Sequence, residues 1–172
     1  SRSTCMTGKK HQFNPNLQIE TATLTDLEGI NHVIKAAIMQ WKLPERIKRL
    51  SLSSYLYNEL DLKHLDILIV KQNEQVIAVA SLEMAEIKNT PLHKSGLLLH
   101  GLYVHPANQQ QGIGKQLLFE AEKIARIKNV SGLLVKAQKD AVDFFLKQNF
   151  IAINTDNTSN QYANLLWCSI NS

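Results

Sequence analysis

The sequence predicts an α/β fold: a single domain with a mixed, mostly antiparallel sheet, helices on both faces, and one parallel strand–helix–strand unit. Three observations carry this prediction. Apolar runs at 65–70 and 75–84 are joined by the polar pair Asn73-Glu74, which makes a β-hairpin. A strand at 97–104, a glycine-opened amphipathic helix and a strand at 132–135 form a βαβ crossover, for which parallel strands and a right-handed connection are the rule. A chain of 172 residues can bury a sizeable core as one domain, and no repeat or linker divides it.

Taken in order, residues 1–16 show no apolar period and no hydrophobic core of a signal peptide. They read as a flexible tail, with the residues before Met6 a candidate cloning remnant, so the domain is expected at 17–172. Residues 17–23 alternate as a first strand. Thr25-x-x-Glu28 reads as a capping box, and Leu27, Ile30, Ile34, Ala37, Ile38 and Trp41 follow at helical spacing. Pro44 suits the first turn of a second helix, with a stripe at Ile47, Leu50, Ser54 and Tyr57. After the hairpin, residues 88–96 form a loop and 97–104 a strand. The helix face Ile113, Leu117, Leu118, Ala121, Ile124 and Ala125 ends near Asn129. Asp140 is placed to cap the final helix, and strands near 150–154 and 162–169 close the chain.

Charge excludes one class of function. The formal +4 is concentrated in the tail, where Arg2, Lys9 and Lys10 face no acid, so residues 17–172 carry only +1. No basic stripe or interleaved aromatic platform marks a nucleic-acid binder. No stretch approaches the roughly 18 apolar residues of a membrane span. Cys5 and Cys168 provide neither a disulfide framework nor metal-ligand spacing, Cys168 reads as inert filler, and a reducing, cytoplasmic setting is expected.

The chemistry is concentrated in 99–118. A strand gives way to a polar loop, then to Gly112 and Gly114 at the start of a helix. Free amides in a first helical turn, together with the positive end of the helix dipole, suit a phosphate or diphosphate. A P-loop is excluded because its leading glycine position is Gln109 and its metal-binding hydroxyl position is Gln116. A dinucleotide fingerprint is excluded because its third glycine position is Leu117. Gln109-x-x-Gly112-x-Gly114 does match the Gln/Arg-x-x-Gly-x-Gly/Ala signature, and over residues 17–170 the chain resembles the GNAT superfamily of acetyl-CoA-dependent N-acetyltransferases. The flanks Leu102-Tyr-Val104 with Pro106, the strand Gly132-Leu-Leu-Val135, and Ala141-Val-Asp-Phe-Phe-Leu-Lys-Gln-Asn-Phe150 complete the resemblance.

The resemblance implies a GNAT-like sheet whose parallel strands splay after the signature. It implies that backbone groups of Leu102, Tyr103 and Val104 pair with the pantetheine arm of acetyl-CoA. The diphosphate would lie against Gln110, Gln111, Gly112, Ile113, Gly114 and Lys115, behind Gln109. Gln138 stands where an asparagine often contacts CoA. Phe145 stands where a tyrosine often acts as general acid, and phenylalanine has no proton to give. Asn149 replaces a glycine, a mild departure because Asn tolerates left-handed backbone. Trp41, Tyr55 and Tyr57 become candidate acceptor contacts or core residues.

Acetyl transfer requires that the acceptor ammonium lose its proton. His100 and Glu83 are the candidate bases; histidine as a residue type titrates near neutrality, and Glu83 would act through water. Tyr103 points away from His100 by strand alternation, toward a helix. The remaining histidines show no metal-ligand spacing, and no metal is expected. The reading is therefore acetyl transfer from acetyl-CoA to a primary amine, small-molecule or peptide, by direct attack in a ternary complex. A homodimer is a candidate assembly. The competing reading is a CoA-binding regulatory module without turnover, motivated by Phe145.

Overall fold

The computed structural model describes residues 17–153 and 164–170. Its strands are β1 (Gln18–Thr21), β2 (Asp66–Gln72), β3 (Gln75–Met84), β4 (Gly96–Val104), β5 (Gly132–Ala137), β6 (Ile151–Ala152) and β7 (Asn164–Ser169). The helices are α1 (Leu27–Met39), α2 (Glu45–Tyr55), α3 (Glu59–His64), α4 (Ile113–Ile127) and α5 (Val142–Lys147), with short 3-10 turns between them. The strands form one sheet in the order β1-β2-β3-β4-β5-β7-β6. β1 runs antiparallel to β2, and β7 antiparallel to both β5 and β6. β4 and β5 run parallel, in register from Gly96↔Gly132 to Leu99↔Val135. This is the expected class: α/β, mostly antiparallel, with one parallel pair. The tail at 1–16, Cys5, and the ends of the two closing strands at 154 and 162–163 lie outside the described residues.

The described residues divide into two compact units. One comprises 17–81 and 101–117, the other 82–100 and 118–170. The core of the first is built on α1, whose Ile30, Val33, Ile34 and Ile38 pack with Ile67, Ile69, Val79 and Tyr57. A capping box stands two residues upstream of the expected one, over the 3-10 turn Leu24–Asp26 that leads into α1. The Thr23 N–H and hydroxyl both donate to the Asp26 carboxylate, at 2.8 and 3.1 Å. Asp26 wins over Glu28 because it is buried and ion-paired, with Lys71 Nζ 3.0 Å away and Glu20 2.8 Å beyond. Burial pushes the Asp26 carboxyl up, but the Thr23 amide and Lys71 together more than offset this and hold it below its ordinary 3.8.

α2 corrects the expected stripe. Ile47 and Leu50 are exposed, and Lys48 is the buried residue. Its ammonium donates to the carbonyl of Met39 at 2.8 Å and meets Glu45 at 3.3 Å. The aliphatic stem is covered while the charge sits at the negative end of α1. α3 was not anticipated. Asn58 Oδ1 accepts from the Asp61 N–H at 3.0 Å, and Asp61 Oδ2 accepts from the Asn58 N–H at 2.8 Å. That double cap defines a six-residue helix.

In the second unit Leu134, Leu165, Trp167 and Ala85 form a core flanked by Leu98 and Ile153. The α4 stripe is buried as expected at Ile113, Leu117, Leu118, Ala121 and Ala125. α4 and α5 end alike. Asn129 (φ 55) and Asn149 (φ 69) adopt left-handed backbone, and the next amide reaches back to Ala125 and Phe145 respectively. These are glycine-type helix stops made with asparagine. Asp140 does not cap α5: it lies inside the 3-10 turn Lys139–Ala141, and Ala141 is the N-cap. Cys168 is fully buried on β7.

Candidate active site

The turn from β4 into α4 belongs to the first unit and is tightly specified. After Val104, the His105 N–H donates to the Ile77 carbonyl at 2.8 Å. His105 Nδ1 accepts from the Ala107 N–H at 3.1 Å, opening the turn Pro106–Asn108. The Gln109 side chain reaches back to the Val104 carbonyl at 3.4 Å, tying the loop to the end of β4. Gln110 (φ 64) and Gly112 (φ 78) then take positive φ, which turns the backbone sharply into α4. The Gly112 carbonyl accepts the first helical bond, from Gln116 at 3.1 Å. The amides of Ile113, Gly114 and Lys115 therefore precede the helical ladder. Ile113 is buried and anchors the turn, whereas Gln109, Gln110, Gln111, Gly112 and Lys115 are exposed. A Cβ placed on Gly112 would meet nothing within 4 Å, so the turn faces open space.

Upstream of this turn, the parallel ladder of β4 ends at Leu99, yet β4 continues to Val104. Leu102, Tyr103 and Val104 are half-buried. Tyr103 packs against the α1 core, as alternation along the strand predicts. Burial, with smaller contributions from Tyr57 and Tyr55, raises its phenol far above the ordinary 10.0, which keeps it protonated.

The fold brings Glu83 and His100, the two candidate bases, together. His100 Nε2 lies 3.9 Å from Glu83 Oε1, with half of the imidazole exposed. Both belong to the second unit, as do Gln138 and Phe145. Gln138 follows β5 and is exposed. Phe145 is buried, with ring centroids 5.1 Å from Phe144 and 5.3 Å from Phe150.

Among the candidate acceptor contacts, Trp41 and Tyr55 pack edge to face at 5.3 Å. Tyr57 is buried, and its hydroxyl hydrogen-bonds Ser81 Oγ. Ser81 and Asn31, which holds the Tyr57 backbone, were not singled out from the sequence. The one available signal for Ser81 was a lone hydroxyl within the apolar run 76–82.

A family model described as an acetyltransferase (GNAT) domain matches residues 38–165, which spans the hairpin, the glycine turn and the block at 141–150. The chain belongs to the GNAT acetyltransferase family. It is thus an N-acetyltransferase. No curated protein matches it. Among solved structures this GNAT chain is similar to the PaiA N-acetyltransferase from Thermoplasma acidophilum in complex with coenzyme A. The identity is 19 %, the TM-score 0.73, and the match covers 89 % of this chain and 98 % of that one. It is similar to a GCN5-related N-acetyltransferase from Rhodopseudomonas palustris (19 %, TM-score 0.71, 94 % and 100 % covered). It is similar also to AtaTR bound with AcCoA (22 %, TM-score 0.60, 90 % and 93 %). At these identities the likeness is one of fold. Among the described residues no cluster of three or more His, Cys, Asp or Glu could hold a metal ion. No helix among them is long and apolar enough to cross a membrane.

Proposed function

We propose that this GNAT enzyme transfers acetyl from acetyl-CoA to a primary amine by direct attack in a ternary complex. The observation that carries the reading is the Gly112 turn: positive φ, the start of a fifteen-residue helix, and open space where a side chain would project. That arrangement fits a diphosphate, which would take amides from Gln110, Gln111, Gly112, Ile113, Gly114 and Lys115 and the ammonium of Lys115. Gln109 holds the loop against Val104 and so fixes where those amides point. The backbone of Leu102, Tyr103 and Val104, running on past the β4–β5 ladder, would pair with the pantetheine arm.

Bound acetyl-CoA supplies an acetyl group already activated as a thioester. His100 would accept the proton of the acceptor ammonium at Nε2, with the Glu83 carboxylate 3.9 Å away. Half-exposed as the pair is, any attraction across it is worth about 1 kcal/mol or less. Phe145 provides no acid, so proton return is left to water, and much of the rate must come from holding both substrates together, worth up to about 7–11 kcal/mol.

The test is thiol release from acetyl-CoA across a library of primary amines, with initial rates measured against both substrates. Amine-dependent release with intersecting double-reciprocal lines is expected. Parallel lines would refute direct attack, and binding without turnover for any amine would support a non-catalytic module. Gly112→Glu, which adds bulk and negative charge at the turn, should abolish acetyl-CoA binding by calorimetry; unchanged affinity would overturn the placement of the diphosphate.

A further inference from the structure

Tyr57 is fixed from several sides within the first compact unit. Asn31 on α1 clamps its backbone: Nδ2 donates to the Tyr57 carbonyl at 2.9 Å, and the Tyr57 N–H donates to Asn31 Oδ1 at 2.8 Å. The ring is buried among α1 side chains, and the hydroxyl is hydrogen-bonded to Ser81, itself fully buried on β3. On the β4 side, a Cβ at Gly101 would stand 3.1 Å from Tyr57 Oη and 2.6 Å from Tyr103 Cε2. Gly101 must be bare because two phenol rings occupy the place of its side chain.

Ordinary packing does not call for this arrangement. A phenylalanine opposite an alanine would fill the core without burying two hydroxyls that must satisfy each other. What the hydroxyl pair adds is a directional link from β3, through Tyr57, to the surface of β4 at Gly101. The next residues of β4 are Leu102, Tyr103 and Val104. We propose that Tyr57, locked by Ser81 and Asn31, is a positioning residue that sets the β4 backbone at 101–104 for the acyl carrier. This rests on the reading that this backbone pairs with the pantetheine arm. Tyr57 shapes the strand and does not touch the reacting atoms.

The experiment measures acetyl-CoA affinity by calorimetry and both KM values and kcat by thiol release, in Tyr57→Phe, Ser81→Ala and the double variant. Each single change should raise the acetyl-CoA Kd and KM about three- to tenfold, the range of one lost hydrogen bond. The amine KM and kcat should stay within about twofold, and the double variant should be no worse than the singles because they remove one shared bond. Gly101→Ala should raise the same KM. Wild-type affinity in the variants would overturn the proposal, and so would an amine KM that rises in step with the acetyl-CoA KM. If Tyr57→Phe fails to fold, Ser81→Ala removes the same bond and decides alone. Gly112→Glu, run in parallel, separates the two readings. Its retaining affinity sinks the diphosphate turn, whereas its losing affinity while Ser81→Ala and Tyr57→Phe do not sinks the role of Tyr57.

Discussion

Gly112→Ala isolates the physics of the turn. At φ 78 the residue sits where an L side chain is disfavoured, at a cost of about 1–2 kcal/mol. Nothing lies within 4 Å of the added Cβ, so no steric cost is superimposed and the strain alone sets the loss of stability. In a protein of this size each kcal/mol lowers Tm by about 2–4 °C, so the expected drop is about 2–8 °C. Gly112→Asn should recover most of it, because the short amide side chain tolerates left-handed backbone. Ligand binding should separate from stability. Both side chains project into the space assigned to the diphosphate, so both variants should lose at least about tenfold in acetyl-CoA affinity, the value of one charge-assisted hydrogen bond. Thermal denaturation and calorimetric titration of the two variants give both quantities. A Gly112→Asn protein that is stable and binds acetyl-CoA like wild type would refute the claim that this open space is the ligand's. A Gly112→Ala protein with wild-type Tm would refute the strain argument.

The candidate base is tested by turnover at fixed pH. His100→Ala should lower kcat by about 10²-fold or more, and Glu83→Gln by less. Wild-type turnover in His100→Ala removes it from the mechanism. Asp26 gives a stability prediction with a definite sign. Its carboxyl lies below the ordinary 3.8 in the folded state, so its contribution is present above that value and is lost as pH falls through the lower, folded one. Asp26→Asn should therefore flatten the dependence of unfolding free energy on pH below about 4. Gly132→Ala should destabilise by about 1–3 kcal/mol through overpacking. Its Cβ would fall 2.6 Å from the Cys168 carbonyl and closer still to the Trp167 indole, so denaturant midpoints should drop well beyond those of an exposed control.

What the sequence made legible was what neighbours in sequence decide. The hairpin turn could be read because the short polar pair Asn73-Glu74 stands between two apolar runs, and both residues take positive φ in the fold. The glycine turn could be read because its residues lie within one loop and their spacing is the structure. The parallel β4–β5 pair followed from strand, helix and strand in succession. The α2 stripe could not be read by counting apolar residues. Leu50 is 71 % exposed while Lys48 is 6 %, since a lysine can bury its stem and place its charge on the end of another helix. The cap of α1 was misplaced because Lys71, on a different element, decides which acid is buried. Glu83 with His100 is a pair across strands, and Tyr57 with Ser81 joins the α2–α3 connection to a strand. Their meeting depends on strand register, which neither local pattern contains.

β4 shows why the strand beyond its ladder matters for binding. As far as Leu99 its outer edge is satisfied by β5 and its side chains build the core. From Leu102 to Val104 it is half-buried and runs on without β5, and backbone groups so placed are obligate hydrogen-bonders. The Val104 carbonyl on this stretch takes the Gln109 side chain, and a strand that runs on beyond its ladder is where an extended partner with amides of its own can add. A carrier arm recognised this way is read by main-chain spacing rather than by side-chain identity. Under the pairing proposed above, specificity for the arm would depend on how accurately the strand is held, a task the proposal gives to Gly101 and the phenols packed against it.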